Sequence, residues 1–207
     1  MTSNTIKELL DEKGIRETCR IATRYALTAS VGTLLRNSEE IAYDGFRISV
    51  TDGVSPVERG AIRLGLHERT ERALIREHLD PERDVIELGG GVGCISLQID
   101  SVLGNDTTQV VVEANPDLIL ALERTKQRNN AKFVVKNAAY APSQDSVNFA
   151  SSADYAHGAI REGGEPVPAC SLADLCRAND VAEFTLVADI EGMEREFCTT
   201  EFEFLAE

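Results

Sequence analysis

The chain reads as an α/β protein with a Rossmann-like, mostly parallel sheet flanked by helices. Three observations predict this. From Asp84 onward, short apolar runs alternate with helical segments, the pattern of βαβ units. The first run, in VIELGGGVGCISL, passes through a glycine-rich turn into an amphipathic stretch. The second, VVVEANP, ends on Glu113 and then offers Asn115 as a helix cap with Pro116 at the first helical position.

The elements follow in order. Thr5 and Glu8 have capping-box spacing, and Ile6, Leu9 and Leu10 share a helical face. A second helix is expected over 16–36, with Ile21, Tyr25, Val31, Leu34 and Leu35 at packing positions. Residues 1–39 are therefore taken as a helical extension and 40–207 as the main domain. Residues 40–51 alternate around Phe46, Ile48 and Val50, and Asp52-Gly53 supplies a turn, so a short strand or hairpin is expected there. A helix over 65–79, with Leu66, Ala73 and Leu74 inward, should stop before Pro81. The sheet strands are placed at 84–88, 109–113, 132–135 and 184–189. An inserted segment, 146–169, holds a strand near 147–150 and a Gly/Pro-rich stretch expected to form a mobile hairpin tip. Ser171, three positions before Asp174, caps the next helix.

Composition limits the function. At 207 residues the chain has room for one substantial core. Its formal charge of -14 disfavours a nucleic-acid partner, because binders of phosphate backbones place Lys and Arg against them. So acidic a surface suits a salt-rich cytoplasm, with a halophilic source as one reading and an ordinary acidic protein as the other. Five cysteines include no C-x-x-C pair, which argues for neither a disulfide framework nor a zinc site. With no apolar run of membrane-helix length and no basic-then-apolar start, a cytoplasmic protein away from membranes is expected.

The chemistry concentrates in the glycine turn. Its glycines let the backbone bend sharply and approach a ligand, while the following helix mouth offers unpaired N–H groups. A dinucleotide fingerprint beginning at Gly89 requires a last glycine where Cys94 stands. The pattern acidic-x-Gly-x-Gly-x-Gly is instead filled throughout by Glu87, Gly89, Gly91 and Gly93. Glu113, at the end of the second strand, is placed to accept hydrogen bonds from ribose hydroxyls. That position serves S-adenosylmethionine and NAD alike. HERTE, at 67–71, lacks the second histidine of a zinc-protease helix, and no metal site is assigned.

Five pieces in order, IELGGGVG, VVVEANP, KNAAYA, VPACSLADL and TLVADIEGMERE, resemble the FkbM family of methyltransferases across roughly residues 40–200. The resemblance implies a class I methyltransferase fold, S-adenosylmethionine as cofactor, and transfer of a methyl group to a hydroxyl of a sugar or other small molecule. It also implies Glu87 by the methionine end, Glu113 by the ribose, Asn137 near the adenine, and Asp189 in the pocket where donor and acceptor meet. Two departures stand out. Ala188 replaces a common lysine, and Glu87-Leu88-Gly89-Gly90 replaces the commoner Asp-x-Gly-Ala. A hydroxyl acceptor must lose its proton, and strand alternation puts Asp189 and Glu191 on one side as candidate bases.

The class I fold carries further strands after the fourth, whereas the chain ends soon after it. C-terminal strands are therefore expected to be missing, with residues 40–51 or a second subunit completing the sheet. An uncovered sheet edge would favour a homo-oligomer. An NAD(P)-dependent oxidoreductase and a non-catalytic ligand-binding relative stay open beside the methyltransferase, because fold alone does not separate them.

Overall fold

A computed structural model describes residues 3–150, 159–160 and 164–190. Glu191, Glu194 and His157 lie outside the described residues, as does the tip of the inserted segment. Helix α1 (Ser3–Leu34) is two helices joined at Gly14, which takes a left-handed φ of 74°. The helix is already formed at Thr5, so the expected cap there is not its start. The hairpin β1 (Glu40–Tyr43) and β2 (Phe46–Ser49) turns at Asp44-Gly45, not at Asp52-Gly53. Both turn residues have positive φ, as a two-residue turn that matches strand twist requires.

Helix α2 (Pro56–Arg63) has a capping box of Ser55 and Glu58, with proline in its first turn. Sequence reasoning passed over this signal. Helix α3 spans Arg69–His78, starting later than expected because Gly65 and Glu68 both take left-handed backbone. Arg72 and Ile75 face inward, whereas Leu74 and Ala73 point outward. In α1, Tyr25 and Leu34 are exposed, contrary to the packing assigned to them. The helix instead meets α2 through small residues: a Cβ on Gly32 would lie 1.6 Å from the Pro56 carbonyl oxygen, and one on Gly60 1.8 Å from that of Thr28.

The central sheet has four parallel strands in the order β10-β3-β4-β5: β3 (Asp84–Leu88), β4 (Gln109–Glu113), β5 (Val134–Asn137) and β10 (Phe184–Ala188). The third strand begins two residues later than expected. Lys132 is held in the preceding loop, where its backbone N–H donates to Asp100 Oδ1 and its ammonium to Asn105. Helices α4 (Cys94–Asp100) and α5 (Pro116–Asn129) follow β3 and β4, and α6 (Leu172–Asn179) precedes β10. Asn115 and Ser171 cap α5 and α6 as the sequence predicts.

The near-continuous apolar strands are explained by cover on both faces. Val85 packs with Ile75, Ile95 and Ile99, while Val111 joins the hairpin, Leu118 and Leu122. On the other face, Ile86, Leu88, Val110 and Val112 meet Leu172 and Leu175. The hairpin does not extend this sheet, contrary to one expectation. It docks on α5 instead: Ser49 N–H donates to Thr125 Oγ1, and Asn129 bonds both the N–H and the carbonyl of Arg47.

A second sheet, ordered β6-β9-β7-β8, comprises β6 (Ala139–Tyr140), β7 (Ser146–Ala150), β8 (Ala159–Ile160) and β9 (Glu165–Cys170). Two prolines in β9 hid it from sequence reasoning. Ala169 N–H donates to Asp145 on the β7 side. Alternation therefore turns the nitrogens of Pro166 and Pro168 the other way, where β6 reaches only Ala169 and Cys170.

Candidate functional site

The chain runs β3, β4, β5 outward and then returns across β3 to form β10. The order thus reverses between β3 and β10, and at such a reversal the carboxyl ends of neighbouring strands part to leave a crevice. The glycine turn sits there. Gly89, Gly91 and Gly93 all have positive φ, of 98°, 52° and 92°. Gly89 lies so close to the end of β10 that a Cβ would stand 2.1 Å from the Asp189 carbonyl oxygen. Asp189 N–H in turn donates to the Leu88 carbonyl at 2.9 Å, locking the two strand ends together. Gly90 and Gly93 allow close packing on Val111 and Leu122.

Glu113 ties the turn to the end of β4. Its Oε2 accepts from Gly91 N–H and its Oε1 from Asn115 N–H, both at 2.6 Å. Burial pushes its carboxyl pKa up, while these backbone donors pull the other way. Asn137 stands beside it in register, its side-chain amide donating to the Glu113 carbonyl at 2.9 Å. Glu113, Asn137 and the glycine turn are thus brought together at one strand edge.

Glu87 lies beneath the turn, 1 % exposed, on the face that α4 covers. Ser96 Oγ donates to its Oε1 at 2.9 Å and Gln109 Nε2 to its Oε2 at 3.0 Å. Desolvation outweighs these donors and raises its pKa to about 8, with further repulsion from Glu68 and Glu113. Glu68, at the mouth of α3, has left-handed backbone at φ 44° and lies 3.2 Å from His67 Nε2. Sequence reasoning singled out neither Ser96 nor Gln109, because a polar residue within an apolar run carries no motif. Cys94 is fully buried with its pKa raised, so it packs and is not an activated thiol.

Asp189 is exposed at the tip of β10, next to the glycine turn. Its expected companion Glu191 lies outside the described residues. Among the described residues there is no group of three or more His, Cys, Asp or Glu able to hold a metal ion, and no helix long and apolar enough to cross a membrane. A separate cavity of about 350 Å³ opens at the opposite end of the sheet, lined by Asp100, Asn105, Thr107, Thr108 and Lys132. It lacks the glycine backbone and the carboxylate at a strand's carboxyl end that make up the candidate site.

No family model matches the chain, and no curated protein matches it. Among solved structures it is similar to a Pyrococcus horikoshii protein provisionally described as a transferase, at 12 % identity and a TM-score of 0.37 over 66 % of this chain and 63 % of that one. It is also similar to coclaurine N-methyltransferase bound to N-methylheliamine and SAH, at 14 % identity and a TM-score of 0.32 over 66 % and 44 %. The chain therefore spans less than two thirds of the length of either.

Proposed function

We propose that this chain is an S-adenosylmethionine-dependent methyltransferase acting on a hydroxyl of a sugar or other small molecule, with a kinship to the FkbM family carried by its five ordered motifs. The observation that carries this reading is the glycine turn at the sheet's reversal point, bordered by Glu113 and underlain by Glu87. Carboxylates around a turn suit a cationic ligand. Cys94, standing where a dinucleotide fingerprint wants its last glycine, weighs against the dinucleotide alternative.

The residues present fit the cofactor. The turn leaves backbone where side chains would fill the space, and Glu113 is placed to exchange its loop contacts for ribose hydroxyls. Asn137, whose Nδ2 is engaged by backbone carbonyls, presents its Oδ1 as the acceptor for an adenine amine. When bound, S-adenosylmethionine supplies an electrophilic methyl group on a sulfonium. Asp189, whose backbone adjoins Gly89 and is fixed by the strand ends, would serve as the base that takes the acceptor's hydroxyl proton. Much of the acceleration in such a displacement comes from alignment, which a turn locked to both β4 and β10 favours. The acidic surface and the cytoplasmic setting belong to the same proposal, which excludes nucleic acid as acceptor.

Calorimetry with S-adenosylmethionine, S-adenosylhomocysteine and NAD tests it. The first two should bind and NAD should not, and Glu113→Ala should weaken both by at least about tenfold through loss of charge-assisted hydrogen bonds. Binding of NAD alone would establish the oxidoreductase reading instead. Binding without transfer to any hydroxyl in a panel of sugars would favour the non-catalytic one.

A further inference from the structure

We infer that Glu87 selects the charge of the ligand at the glycine turn: a sulfonium is bound with release of the Glu87 proton, and the neutral thioether product without it. This rests on the reading above and deepens it.

The geometry comes first. Glu87 is two residues before Gly89 on an extended strand, so its carboxyl lies within roughly 10 Å of anything held by the turn. Loop and helix cover it, leaving it 1 % exposed. From α4 come Cys94 and Ser96, from β4 Gln109 and Glu113, from the mouth of α3 Glu68, and from α3 itself Arg72, whose guanidinium is engaged by Asp44 and the Gly65 carbonyl. On β10 its register partner is Val187, which does not titrate. Among the described residues no cation forms an ion pair with Glu87, Arg72 being paired with Asp44, and the largest charge effects on it come from carboxylates.

The cluster is also built to hold Glu87 in either state. Ser96 Oγ donates to the carboxylate, and the same hydroxyl can turn to accept from the protonated acid. Gln109 Oε1 is buried without a hydrogen-bond partner, a further acceptor beside the carboxyl. A buried carboxyl without an ion-pair partner holds its proton closer to neutral pH, in line with the direction of its shift. A positive charge arriving at the turn supplies the missing cation. The O–H bond of Glu87 then breaks, its electron pair stays on the carboxylate, and the proton passes to buffer. A neutral thioether would bring no such charge, so with it bound the Glu87 carboxyl would keep its proton and offer no comparable attraction. Substrate is thereby favoured over product by a residue that touches neither.

The test is the ratio of dissociation constants for S-adenosylhomocysteine and S-adenosylmethionine on the full chain, measured by calorimetry from pH 6 to pH 9. The ratio should rise about tenfold, the effect expected of a unit charge at this range behind protein. Titration at pH 7 in buffers of different ionisation enthalpy should show proton release with the sulfonium beyond that with the thioether. In Glu87→Gln the excess release should vanish, and whatever slope the ligand's own amine produces should remain. Equal slopes in parent and variant would overturn the inference while leaving the methyltransferase reading intact; failure of both ligands to bind would overturn the two together. Should Glu87→Gln not fold, carboxyl carbon NMR of the parent decides. The resonance titrating near neutral pH must move to lower pH with the sulfonium and stay in place with the thioether.

Discussion

Two of the places where glycine brings backbones into contact are secured by opposite charges. At the α1–α2 crossing, Gly32 and Gly60 admit backbone to backbone, and Arg59, 3 % exposed, grips the carbonyls of Val54, Leu35, Ser38 and Thr51. At the glycine turn, Gly89 admits the end of β10, and Glu113 grips the N–H groups of Gly91 and Asn115 above the buried Glu87. Burial lowers the Arg59 pKa, yet a guanidinium has so high a starting value that it stays charged at any accessible pH. Burial moves the carboxyls of Glu113 and Glu87 the other way, and that of Glu87 reaches about 8, where it can change charge. The scaffold is thus held by a group that cannot titrate, and the candidate site lies over one that can.

The scaffold half of this contrast is tested by the largest effect. Gly60→Val would drive a branched side chain into the Thr28 backbone, where no flexible atom can yield. Overpacking of that kind should cost about 3 kcal/mol or more, lowering Tm by roughly 6–12 °C for a chain of this size. A melting curve superimposable on the parent's would show that the helices part freely. Arg59→Met comes next. It removes a donor from four carbonyl oxygens, of which those of Leu35 and Thr51 keep a backbone N–H, and a loss of about 2–3 kcal/mol is expected. The loss should be the same at pH 6 and pH 9 in urea titrations, and Arg59→Lys should recover little of it because an ammonium lacks the planar fork.

The contrast also explains what the sequence made legible. Gly89, Gly91 and Gly93 fall within five residues of one strand end, so their spacing announces a turn, and Glu113 and Asn115-Pro116 announce the next strand's end in the same way. Gly32 and Gly60 are far apart in the chain, and nothing local says that they meet. Arg72 was equally hidden. It was not among the residues expected to face inward, but its guanidinium lies over the Tyr43 ring, with Asp44 and Gly65 as partners. Ile75, one turn away on the same face, followed the pattern that Leu74 broke. In the site, residue types and order were readable, whereas the direction of each side chain was not. Glu87 proved to be under the turn because alternation along β3 puts it on the face of Val85, against α4.

Per pH unit that burial gives the smallest of these effects, and it is the one that separates the two regions most cleanly. The folded-state pKa of Glu87 is about 8, against a carboxyl's ordinary value of 4.5. The folded chain therefore binds this proton more tightly than the unfolded chain. Its contribution to stability is complete below the ordinary value and is lost as pH rises through the folded one. Between those limits Glu87 makes stability fall by at most about 1.4 kcal/mol per pH unit. Glu87→Gln, a neutral near-isostere whose amide can donate to a turned Ser96 hydroxyl, should remove that slope and be more stable than the parent at pH 8. Urea titrations of both chains at pH 5, 6.5 and 8 check this. Parallel stability curves would mean that Glu87 is ionised throughout, and the carboxylate region would then be as fixed in charge as the arginine one.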